Sequence, residues 1–441
     1  MVPSKKVYLL LGLLLLISPG IAIFFGINIA VFLTLVFDIV LLILMFVDGF
    51  RTRNQRVNIS RELPPRLSIG RENPVLLKVK SGKKGASLQI RDYYPNNFSV
   101  SQSLVRTNIP QETTQELSYT IFPNQRGEYP WGDIQVRQLG LWGLAWHDWK
   151  IPASVKVKVY PDLIGLRSLS IRLTLQSSGA MRQMRQLGMG TEFAELRNYR
   201  VGDDLRFIDW KATARRVGAN GNNTPLVRVL EPEQEQTLLI LLDRGRLMTQ
   251  QVQGLQRFDW GLNATLALAL AALNRGDRVG IGVFDHKMHS WIPPERGQIH
   301  LNKLIDRLTP IQPVLIESDY IGAVTHVVQQ QTRRSLVVII TDLIDTTASV
   351  ELLGALSRLA PRYLPFSVTL RDPAVDKLAE TFVDDITGNY TRAVALDLLA
   401  QRQVAFAQLK QKGVLVLDAP ANQISDQLVD RYLQLKMRNQ L

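Results

Sequence analysis

The 441-residue chain contains no cysteine, and only five of its residues are histidine. The lack of cysteine excludes disulfide bonds, thiolate metal sites, a cysteine nucleophile and a lipid-modified cysteine anchor. Three enzymatic signatures are also missing: a glycine-rich phosphate loop ending in Lys-Ser or Lys-Thr, a Gly-x-Ser-x-Gly elbow and a His-Glu-x-x-His pair. These absences favour a binding or scaffold protein over the common hydrolases and nucleotide-binding enzymes.

The net charge of +13 is concentrated in the first half of the chain. Residues 51–160 carry 17 basic and 8 acidic groups (net +9), and residues 161–230 carry 11 and 6 (net +5). Residues 231–441 carry 22 basic and 23 acidic groups, a net charge of −1. Anionic lipid attracts basic segments by about 1 kcal/mol per Lys or Arg close to the membrane surface. Because no compact basic motif with interleaved aromatics is present, we expect membrane lipid and no nucleic acid as the partner of this charge.

One long hydrophobic run lies near the N-terminus. From Val7 to Val47 the only ionisable side chains are those of Tyr8 and Asp38. A single membrane span needs about 20 apolar residues, so the run predicts two transmembrane helices, at about 7–25 and 29–47. A secretory signal peptide is the alternative, and the second apolar run directly behind the first argues against it.

The charges that flank this run predict its orientation. The basic flanking residues are Lys5 and Lys6 before the run and Arg51, Arg53 and Arg56 after it. The reversal between the two helices carries no charge. The positive-inside rule therefore predicts a multi-pass protein of the inner (plasma) membrane with its soluble domains in the cytoplasm. We expect Asp38, inside the second helix, to be a hydrogen-bonded packing partner across the hairpin; a functional acid is the alternative.

Residues 55–160 show short runs in which apolar and polar residues alternate, as in 75–79 and 155–159. Turn-forming clusters such as Pro95-Asn96-Asn97 separate these runs. This period of two predicts antiparallel strands, and we expect a small β-sandwich. Four tryptophans lie in the region: Trp131, Trp142, Trp146 and Trp149. We expect them in the core or near the lipid interface, and a binding face is the alternative.

From about residue 236 the pattern changes to apolar strands that alternate with helical stretches. The predicted strands are Thr237–Leu242, Arg278–Phe284, Leu336–Thr341, Phe366–Leu370 and Val414–Leu417. The helical stretches between them include Gly254–Asn274 and Arg392–Gln411. This alternation predicts a parallel α/β sheet with helices on both faces.

An aspartate lies at or just beyond the end of every predicted strand of this sheet: Asp243, Asp285, Asp342, Asp372 and Asp418. In open α/β sheets, ligands bind in the crevice outside the carboxyl ends of the strands. Carboxylates gathered there would suit a hard cation such as Mg²⁺. Aspartate is also common after strands because it caps the next helix and forms turns, so both explanations stay open.

The segment from Gly188 to Arg216 combines alternating acidic and basic residues with interleaved aromatics. Its candidate partner-binding or interdomain residues are Glu192, Arg197, Tyr199, Asp203, Asp204, Arg206, Asp209, Trp210, Lys211 and Arg215. Such a segment can join two domains by burying its aromatics while its charges pair with one another, or it can be a docking surface for a partner protein. As a joint, it predicts that Trp210→Ala removes a large buried contact and costs about 3–5 kcal/mol.

These residues resemble the hallmark of the "domain of unknown function 58" family. The shared motifs are Glu192-Phe193, Leu196-Arg197, Tyr199, Gly202-Asp203-Asp204, Arg206 and Ile208 to Arg215, together with Arg126-Gly127-x-Tyr129, Gly140 to Leu144 and Val159-Tyr160-Pro161. The resemblance implies two N-terminal membrane helices, a β-rich region and an α/β domain similar to von Willebrand factor A domains. It also implies a MoxR-type AAA+ ATPase as partner and no established biochemical activity.

The same resemblance offers a metal site for comparison, with Asp243, Thr341 and Asp342 as the candidate ligands. The adhesion-type site begins Asp-x-Ser-x-Ser, whereas Gly245 and Leu247 occupy the two serine positions here. Two hydroxyl ligands are therefore missing, and we expect no cofactor, with Mg²⁺ as the one candidate. Arg244 and Arg246 could take the place of the cation by pairing with Asp342 or Asp285.

The sequence thus predicts four segments. They are two transmembrane helices within 1–50, a β-sandwich domain at 55–160, a charged joint at 161–235 and a von Willebrand factor A-like, Rossmann-like α/β domain at 236–441. The leading hypothesis is a membrane-tethered adaptor, more a binding protein than an enzyme, that presents its α/β crevice to a protein partner. A metal-dependent hydrolase that uses the strand-end aspartates is the alternative, and a nucleic-acid-binding membrane protein is a third.

Overall fold

The computed structural model describes residues 1–82, 84–180, 192–220, 224–231, 236–343, 350–360, 362–382 and 385–438. These residues form two compact units, Met1–Leu163 and Ile164–Leu441. The first four residues of the charged segment, 188–191, lie outside the described residues. The predicted division into four segments stays a prediction.

Unit 1 begins with a helical hairpin, α1 (Lys5–Phe25) and α2 (Ile27–Arg53). Both helices are long and apolar enough to cross a membrane, by length and composition. The chain reverses at Gly26, whose φ of +86° is a left-handed conformation that glycine adopts without strain. The predicted helix pair is confirmed, but α2 continues past Val47 and Gly49 to Arg53.

The rest of unit 1 consists of β-strands: β1 (Val2–Pro3), β2 (Asn58–Glu62), β3 (Leu67–Ser68), β4 (Asn73–Lys80), β5 (Ala86–Asp92), β6 (Phe98–Val100), β7 (Val105–Ile109), β8 (Thr114–Pro123), β9 (Gly127–Trp131), β10 (Ile134–Leu139), β11 (Ala145–Ile151) and β12 (Val155–Tyr160). They form three sheets with the orders β1-β11-β10-β5-β7, β2-β4-β8-β6 and β3-β12-β9. All pairs are antiparallel except β3 with β12. The sandwich arrangement of these sheets stays a prediction.

Alternating apolar residues face the core of unit 1, as the period of two requires. Val75, Leu77 and Val79 on β4 are fully buried. One buried carboxylate links the sheets: Asp92 accepts hydrogen bonds from Arg61 Nη1 (2.6 Å), Tyr119 OH (2.6 Å) and Trp131 Nε1 (3.1 Å). The prediction that tryptophan fills the core is confirmed for Trp131, which has no exposed surface.

Unit 2 contains a charged subdomain and a central sheet. Its elements are α3 (Leu163–Ala180), β13 (Glu192–Asn198), a 3-10 helix (Leu205–Phe207), α4 (Trp210–Asn220), β14 (Leu226–Glu231), β15 (Thr237–Asp243), a 3-10 helix (Arg246–Thr249), β16 (Gln251–Val252), β17 (Leu255–Gln256), α5 (Arg257–Asn274), β18 (Arg278–Phe284), β19 (Met288–Glu295), α6 (Gln298–Leu308), α7 (Tyr320–Gln330), β20 (Leu336–Thr341), α8 (Val350–Leu359), β21 (Leu364–Arg371), α9 (Pro373–Glu380), α10 (Ile386–Gln411), β22 (Leu415–Pro420), a 3-10 helix (Ala421–Gln423) and α11 (Ile424–Met437).

The central sheet has the strand order β19-β18-β15-β20-β21-β22. Only β19 runs antiparallel to its neighbour; the other pairs are parallel. In chain order this is 3-2-1-4-5-6, the doubly wound arrangement in which ligands bind where the strand order reverses. The reversal lies between β15 and β20, whose carboxyl ends carry Asp243 and Thr341. The predicted α/β sheet is confirmed, and the strands Arg278–Phe284 and Leu336–Thr341 have the predicted bounds.

Candidate functional site

The carboxylate of Asp243 lies at the reversal point, enclosed by hydroxyl groups. It accepts hydrogen bonds from Ser318 Oγ (2.5 Å), Thr341 Oγ1 (2.6 Å) and Tyr320 OH (3.1 Å), and from the backbone nitrogen of Gly245 (2.7 Å). Only 1% of the Asp243 surface is exposed. Burial raises the pKa of Asp243, while these four donors act in the opposite direction.

Gly245 is required by this arrangement. A Cβ at position 245 would lie 2.0 Å from Ser318 Oγ and 2.8 Å from the carbonyl oxygen of Ile316. Both distances are far below a van der Waals contact, so any side chain at 245 would displace the loop that carries Ser318. The mismatch with the Asp-x-Ser-x-Ser motif therefore has a structural cause: the hydroxyl of Ser318 occupies the space beside Asp243.

The second strand-end carboxylate, Asp342, pairs with two buried arginines. Arg257 Nη1 lies 2.7 Å from one carboxylate oxygen, and Arg402 Nη1 lies 2.9 Å from the other. Arg402 also reaches Asp418 at 2.9 Å and donates to the carbonyl oxygen of Leu343 at 2.6 Å. Burial opposes the charge of Arg402, but the two carboxylates beside it leave its pKa raised. Two aspartates and two arginines thus form a charge-balanced network.

The remaining strand-end aspartates are also engaged. Asp285 pairs with Arg244 at 2.8 Å, which is one of the two pairings predicted for this arginine. Arg246 pairs instead with Glu317 at 2.7 Å, and both side chains are mostly exposed. Asp372 caps the N-terminus of α9 by accepting from the backbone nitrogen of Ala374. The capping explanation therefore holds for Asp372, whereas Asp418 lies within β22 and takes part in the arginine network.

This donor set does not fit a hard divalent cation. Mg²⁺ requires an octahedron of oxygen ligands with free lone pairs. The oxygens of Asp243 already accept four hydrogen bonds, and both oxygens of Asp342 face guanidinium groups. Thr341 directs its hydroxyl proton at Asp243. Across the described part of the chain, no group of three or more His, Asp or Glu residues could hold a metal ion.

The charged segment is organised by its own ion pairs. Arg197 forms a bidentate pair with Asp203 at 2.8 and 2.6 Å, and Asp203 also accepts from the backbone nitrogen of Arg200 at 2.7 Å. Asp204 caps the 3-10 helix Leu205–Phe207 and pairs with Arg206 at 2.7 Å. The hydrogen bonds with these arginines lower the pKa of both aspartates. The predicted pairing of charges within the segment is therefore present.

Further residues fix the strand pair β13–β14 to α4. Asp209 accepts from the backbone nitrogen of Ala212 at 2.9 Å at the start of α4 and pairs with Arg228 of β14 at 2.8 Å. The backbone nitrogen of Tyr199 donates to the carbonyl oxygen of Pro225 at 2.8 Å. Glu192 begins β13, where its backbone pairs with that of Glu231.

The burial of Trp210 that a joint between domains would require is not found. Ile208, which bridges to Val227 of β14, is the inward-facing apolar residue and is 9% exposed. Trp210, two positions later at the start of α4, is 67% exposed. Val201 and Leu205 are also exposed, and Lys211 and Arg215 make no ion pair within the described ranges. We call Val201, Leu205, Trp210, Lys211 and Arg215 the hallmark surface.

A second site, missed by the sequence analysis, lies at the foot of the hairpin. The carboxylate of Asp48, in the last turns of α2, accepts from the backbone nitrogens of Trp142 (3.1 Å), Leu144 (3.0 Å) and Ala145 (3.4 Å). A Cβ at Gly140 would lie 2.1 Å from an Asp48 oxygen, so glycine is required there. The Gly140–Leu144 turn of unit 1 is thus clamped to α2.

The start of α1 is held by the same turn. Ser4 donates its hydroxyl to the carbonyl oxygen of Gly143 at 2.6 Å, and its backbone nitrogen donates to Leu144 at 2.9 Å. By contrast, Asp38 Oδ1 is buried without a hydrogen-bond partner among the described residues, so the hydrogen bond predicted across the hairpin is not found. The sequence signal for Asp48 was its position directly after the apolar run, in a helix that continues to Arg53.

Comparison with known proteins identifies a family and relatives that match part of the chain. Residues 195–408 match the model of a family described as "Protein of unknown function DUF58". Uncharacterized proteins of Mycobacterium tuberculosis and Mycobacterium bovis are 22% identical over 215 residues, which is 48% of this chain. The chain spans 65% of the length of these curated relatives. The predicted family resemblance is thereby confirmed.

Two solved structures illustrate the structural likeness. The conserved hypothetical protein BatB from Bacteroides thetaiotaomicron is 13% identical, with a TM-score of 0.30, over 45% of this chain and 99% of that one. An aerotolerance-related membrane protein from Bacteroides fragilis is 14% identical, with a TM-score of 0.29, over 44% and 99%.

Proposed function

We propose, from the premise that residues 195–408 of this chain belong to the family described as protein of unknown function DUF58, that the chain is an adaptor. The adaptor is tethered to a membrane and docks a protein partner on its hallmark surface. The observation that carries this proposal is the 67% exposure of Trp210 on a segment whose backbone is fixed by ion pairs. Tryptophan is enriched among the residues that dominate binding energy at protein interfaces. An exposed tryptophan on a preorganised support loses little entropy when a partner covers it.

The tether in this proposal is the helical hairpin of unit 1. Lys5 and Lys6 precede it and Arg51 and Arg53 end it, so the positive-inside rule puts both ends in the cytoplasm. The clamp at Asp48 supports placing both ends on the same side of the membrane, because α2 and the segment before α1 are held by the same β-turn. A hairpin with both ends on one side keeps the rest of the chain at the cytoplasmic face of the inner membrane.

The partner we propose is a protein with an acidic and apolar surface, and the family resemblance suggests a MoxR-type AAA+ ATPase. Lys211, Arg215 and Arg200 add positive charge to the segment, whereas Asp203, Asp204 and Asp209 are already paired with arginines. An acidic partner would therefore find unpaired cations in the same segment as the exposed apolar side chains, which favours fast and specific association. The von Willebrand factor A-likeness of unit 2 is part of the same proposal, supported by its doubly wound sheet.

The strand ends are not proposed as the docking surface. Asp243 and Asp342 are 1% and 4% exposed, so a partner cannot contact their carboxylates directly. We therefore propose the hallmark surface, and not the crevice that the sequence favoured, as the docking surface. The hydrolase alternative loses its support for the same reason, since the carboxylates that it needs are engaged by arginines and hydroxyl groups.

A binding titration tests the proposal. The full-length chain in detergent is titrated with a purified MoxR-type ATPase from the same organism. We expect Trp210→Ala to weaken binding by at least about tenfold, the effect of losing one interface hot spot. Tyr390→Ala is the matched control, because this aromatic is 72% exposed in unit 2 but lies outside the hallmark surface. Equal affinities of wild type and Trp210→Ala would overturn the proposal.

The tether can be tested by cysteine labelling, because the chain contains no cysteine of its own. A single cysteine introduced as Asn28→Cys, at the reversal, should react with a membrane-impermeant maleimide added to the outside of spheroplasts. The matched variant Lys412→Cys, at the exposed end of α10, should react only after lysis. Labelling of Lys412→Cys in intact spheroplasts would rule out the proposed orientation.

A further inference from the structure

We propose that unit 1 binds a phosphate-bearing anionic lipid headgroup in a cavity at the foot of the hairpin. The cavity has a volume of about 610 Å³ and lies entirely among residues of unit 1. Its walls come from the start of α1, the end of α2, the loop between β4 and β5, the strand β7 and the turn after β10. This inference rests on the membrane tether proposed above and concerns a different surface from the partner-docking one.

Every charged side chain that lines the cavity is cationic: Lys6, Lys84 and Arg56. The other polar groups of the lining are neutral amides and hydroxyls, such as those of Asn54 and Ser87. An anionic phosphate would meet three positive charges and no carboxylate among these lining residues. Charge-assisted hydrogen bonds from ammonium and guanidinium groups are the usual means of binding phosphate.

These cations are not neutralised by the protein. The side-chain ammonium groups of Lys6 and Lys84 form neither an ion pair nor a hydrogen bond with any part of the chain that the structure describes. The guanidinium of Arg56 is hydrogen-bonded to Nε2 of His147, at 3.2 Å from Nε and 3.0 Å from Nη2, and its carbon lies 5.5 Å from the centre of the Trp149 ring. A neutral imidazole and an aromatic ring orient this arginine and leave its positive charge uncompensated.

The nearest buried carboxylate does not compete for these cations. Asp48 lies against Gly140 of the lining turn, but its oxygens accept from the backbone nitrogens of Trp142, Leu144 and Ala145. It is 1% exposed and therefore does not face the cavity. A negative charge brought in by a ligand would satisfy the lining cations without displacing an existing pair.

The position of the cavity along the hairpin selects a lipid as the source of the phosphate. Lys6 is the second residue of α1, and Arg56 follows the end of α2 by three residues. Both lie opposite the reversal at Gly26, where a membrane-spanning hairpin meets the headgroup layer. Trp142 is 45% exposed at the same end, with the Arg51 guanidinium 5.3 Å from its ring centre. Tryptophan is enriched at this depth of a membrane.

Calorimetry on the full-length chain in a maltoside detergent tests the inference. The titrants are dihexanoyl phosphatidylglycerol, dihexanoyl phosphatidylcholine, glycerol phosphate and inorganic phosphate. We expect the phosphatidylglycerol to bind more tightly than the phosphatidylcholine. Lys6→Gln and Lys84→Gln should each weaken that binding by about fivefold, the effect of one cation near an anionic headgroup. Lys156→Gln, the same change on β12 outside the cavity, should leave it unaltered.

Each other outcome decides a separate point. Equal binding of the two lipids, or equal loss in Lys156→Gln, would overturn the cavity as a headgroup site. Inorganic phosphate that binds as tightly as the lipid would assign the site to free phosphate and overturn the lipid source. Carbonate extraction of native membranes reports insertion separately. A chain released by carbonate that still binds glycerol phosphate contradicts the tether alone, and an inserted chain that binds neither anion contradicts the cavity alone.

Discussion

The strand ends of unit 2 and the charged segment that carries the hallmark surface both contain aspartate–arginine pairs, but the pairs are buried in the first region and lie at the surface in the second. At the strand ends, Asp342, Asp418, Arg257 and Arg402 are buried and pair with one another. In the charged segment the ion pairs are formed at the surface, and Trp210 is left exposed. A buried, charge-balanced network can stabilise the fold, but a partner protein cannot contact it. Exposed residues on a fixed support are available for such contact.

The largest effect should come from breaking the buried network. Arg402→Met keeps much of the side-chain volume but leaves Asp418 with only the more distant Arg371, at 4.0 Å, and Asp342 with only Arg257. An uncompensated buried charge costs about 3–5 kcal/mol, so we expect a large fall in the melting temperature of the full-length chain. Arg246→Met is the matched control, because the exposed pair with Glu317 should be worth only about 0–1 kcal/mol. Equal melting temperatures of the two variants would contradict the structural role of the network.

A smaller effect should follow from loosening the foot of the hairpin. Asp48→Asn removes the charged acceptor of three backbone hydrogen bonds, and a hydrogen bond to a charged group contributes about 1.5–3 kcal/mol. Hydrogen exchange should therefore accelerate at the amides of Trp142, Leu144 and Ala145. Glu116→Gln, which removes an exposed carboxylate on β8, should leave those amides unchanged. Unaltered exchange in Asp48→Asn would show that the clamp does not restrain the turn.

The smallest effect concerns the pH dependence of stability, through His147, which contacts Arg56 of the unit 1 cavity. Burial and the neighbouring Arg56 lower the pKa of His147, and Asp148 opposes them only weakly. The unfolded chain therefore binds a proton at His147 before the folded chain does. Stability should fall as the pH drops below the ordinary histidine pKa of about 6.5, with the loss complete below the lowered folded value. The urea-unfolding midpoint of His147→Gln should therefore change less with pH over that range than the midpoint of the wild type. The same pH dependence of the midpoint in both proteins would disprove this assignment.

Much of the fold follows from local patterns in the sequence. The period-two runs predict the strands of unit 1, and the apolar strands of unit 2 are correct to within a few residues because they are buried on both faces. The hairpin follows from its length and lack of charge. These features depend on neighbouring residues, so a single sequence contains them.

The sites were harder to predict because they depend on distant residues. Ser318, in the loop before α7, and Tyr320, at the start of α7, approach Asp243 from 75 and 77 positions away, and Arg402 reaches Asp342 across 60 positions. Nothing in the local pattern around Arg257, the first residue of α5, indicated its partner. For Trp210 the error was to equate an aromatic residue with burial, when the register between Ile208 and Val227 turns Ile208 inward instead.

Site-specific photo-crosslinking in native membranes compares the two regions most directly. A photoreactive residue is placed at Leu205 of the hallmark surface or at Leu315, which is 77% exposed in the loop that covers Asp243 at the strand ends. The adducts are probed with an antibody against the MoxR-type ATPase of the same organism. The proposed function predicts an adduct at 205 and none at 315. An adduct at 315 alone would contradict the proposed function and would indicate that the partner docks at the strand-end crevice.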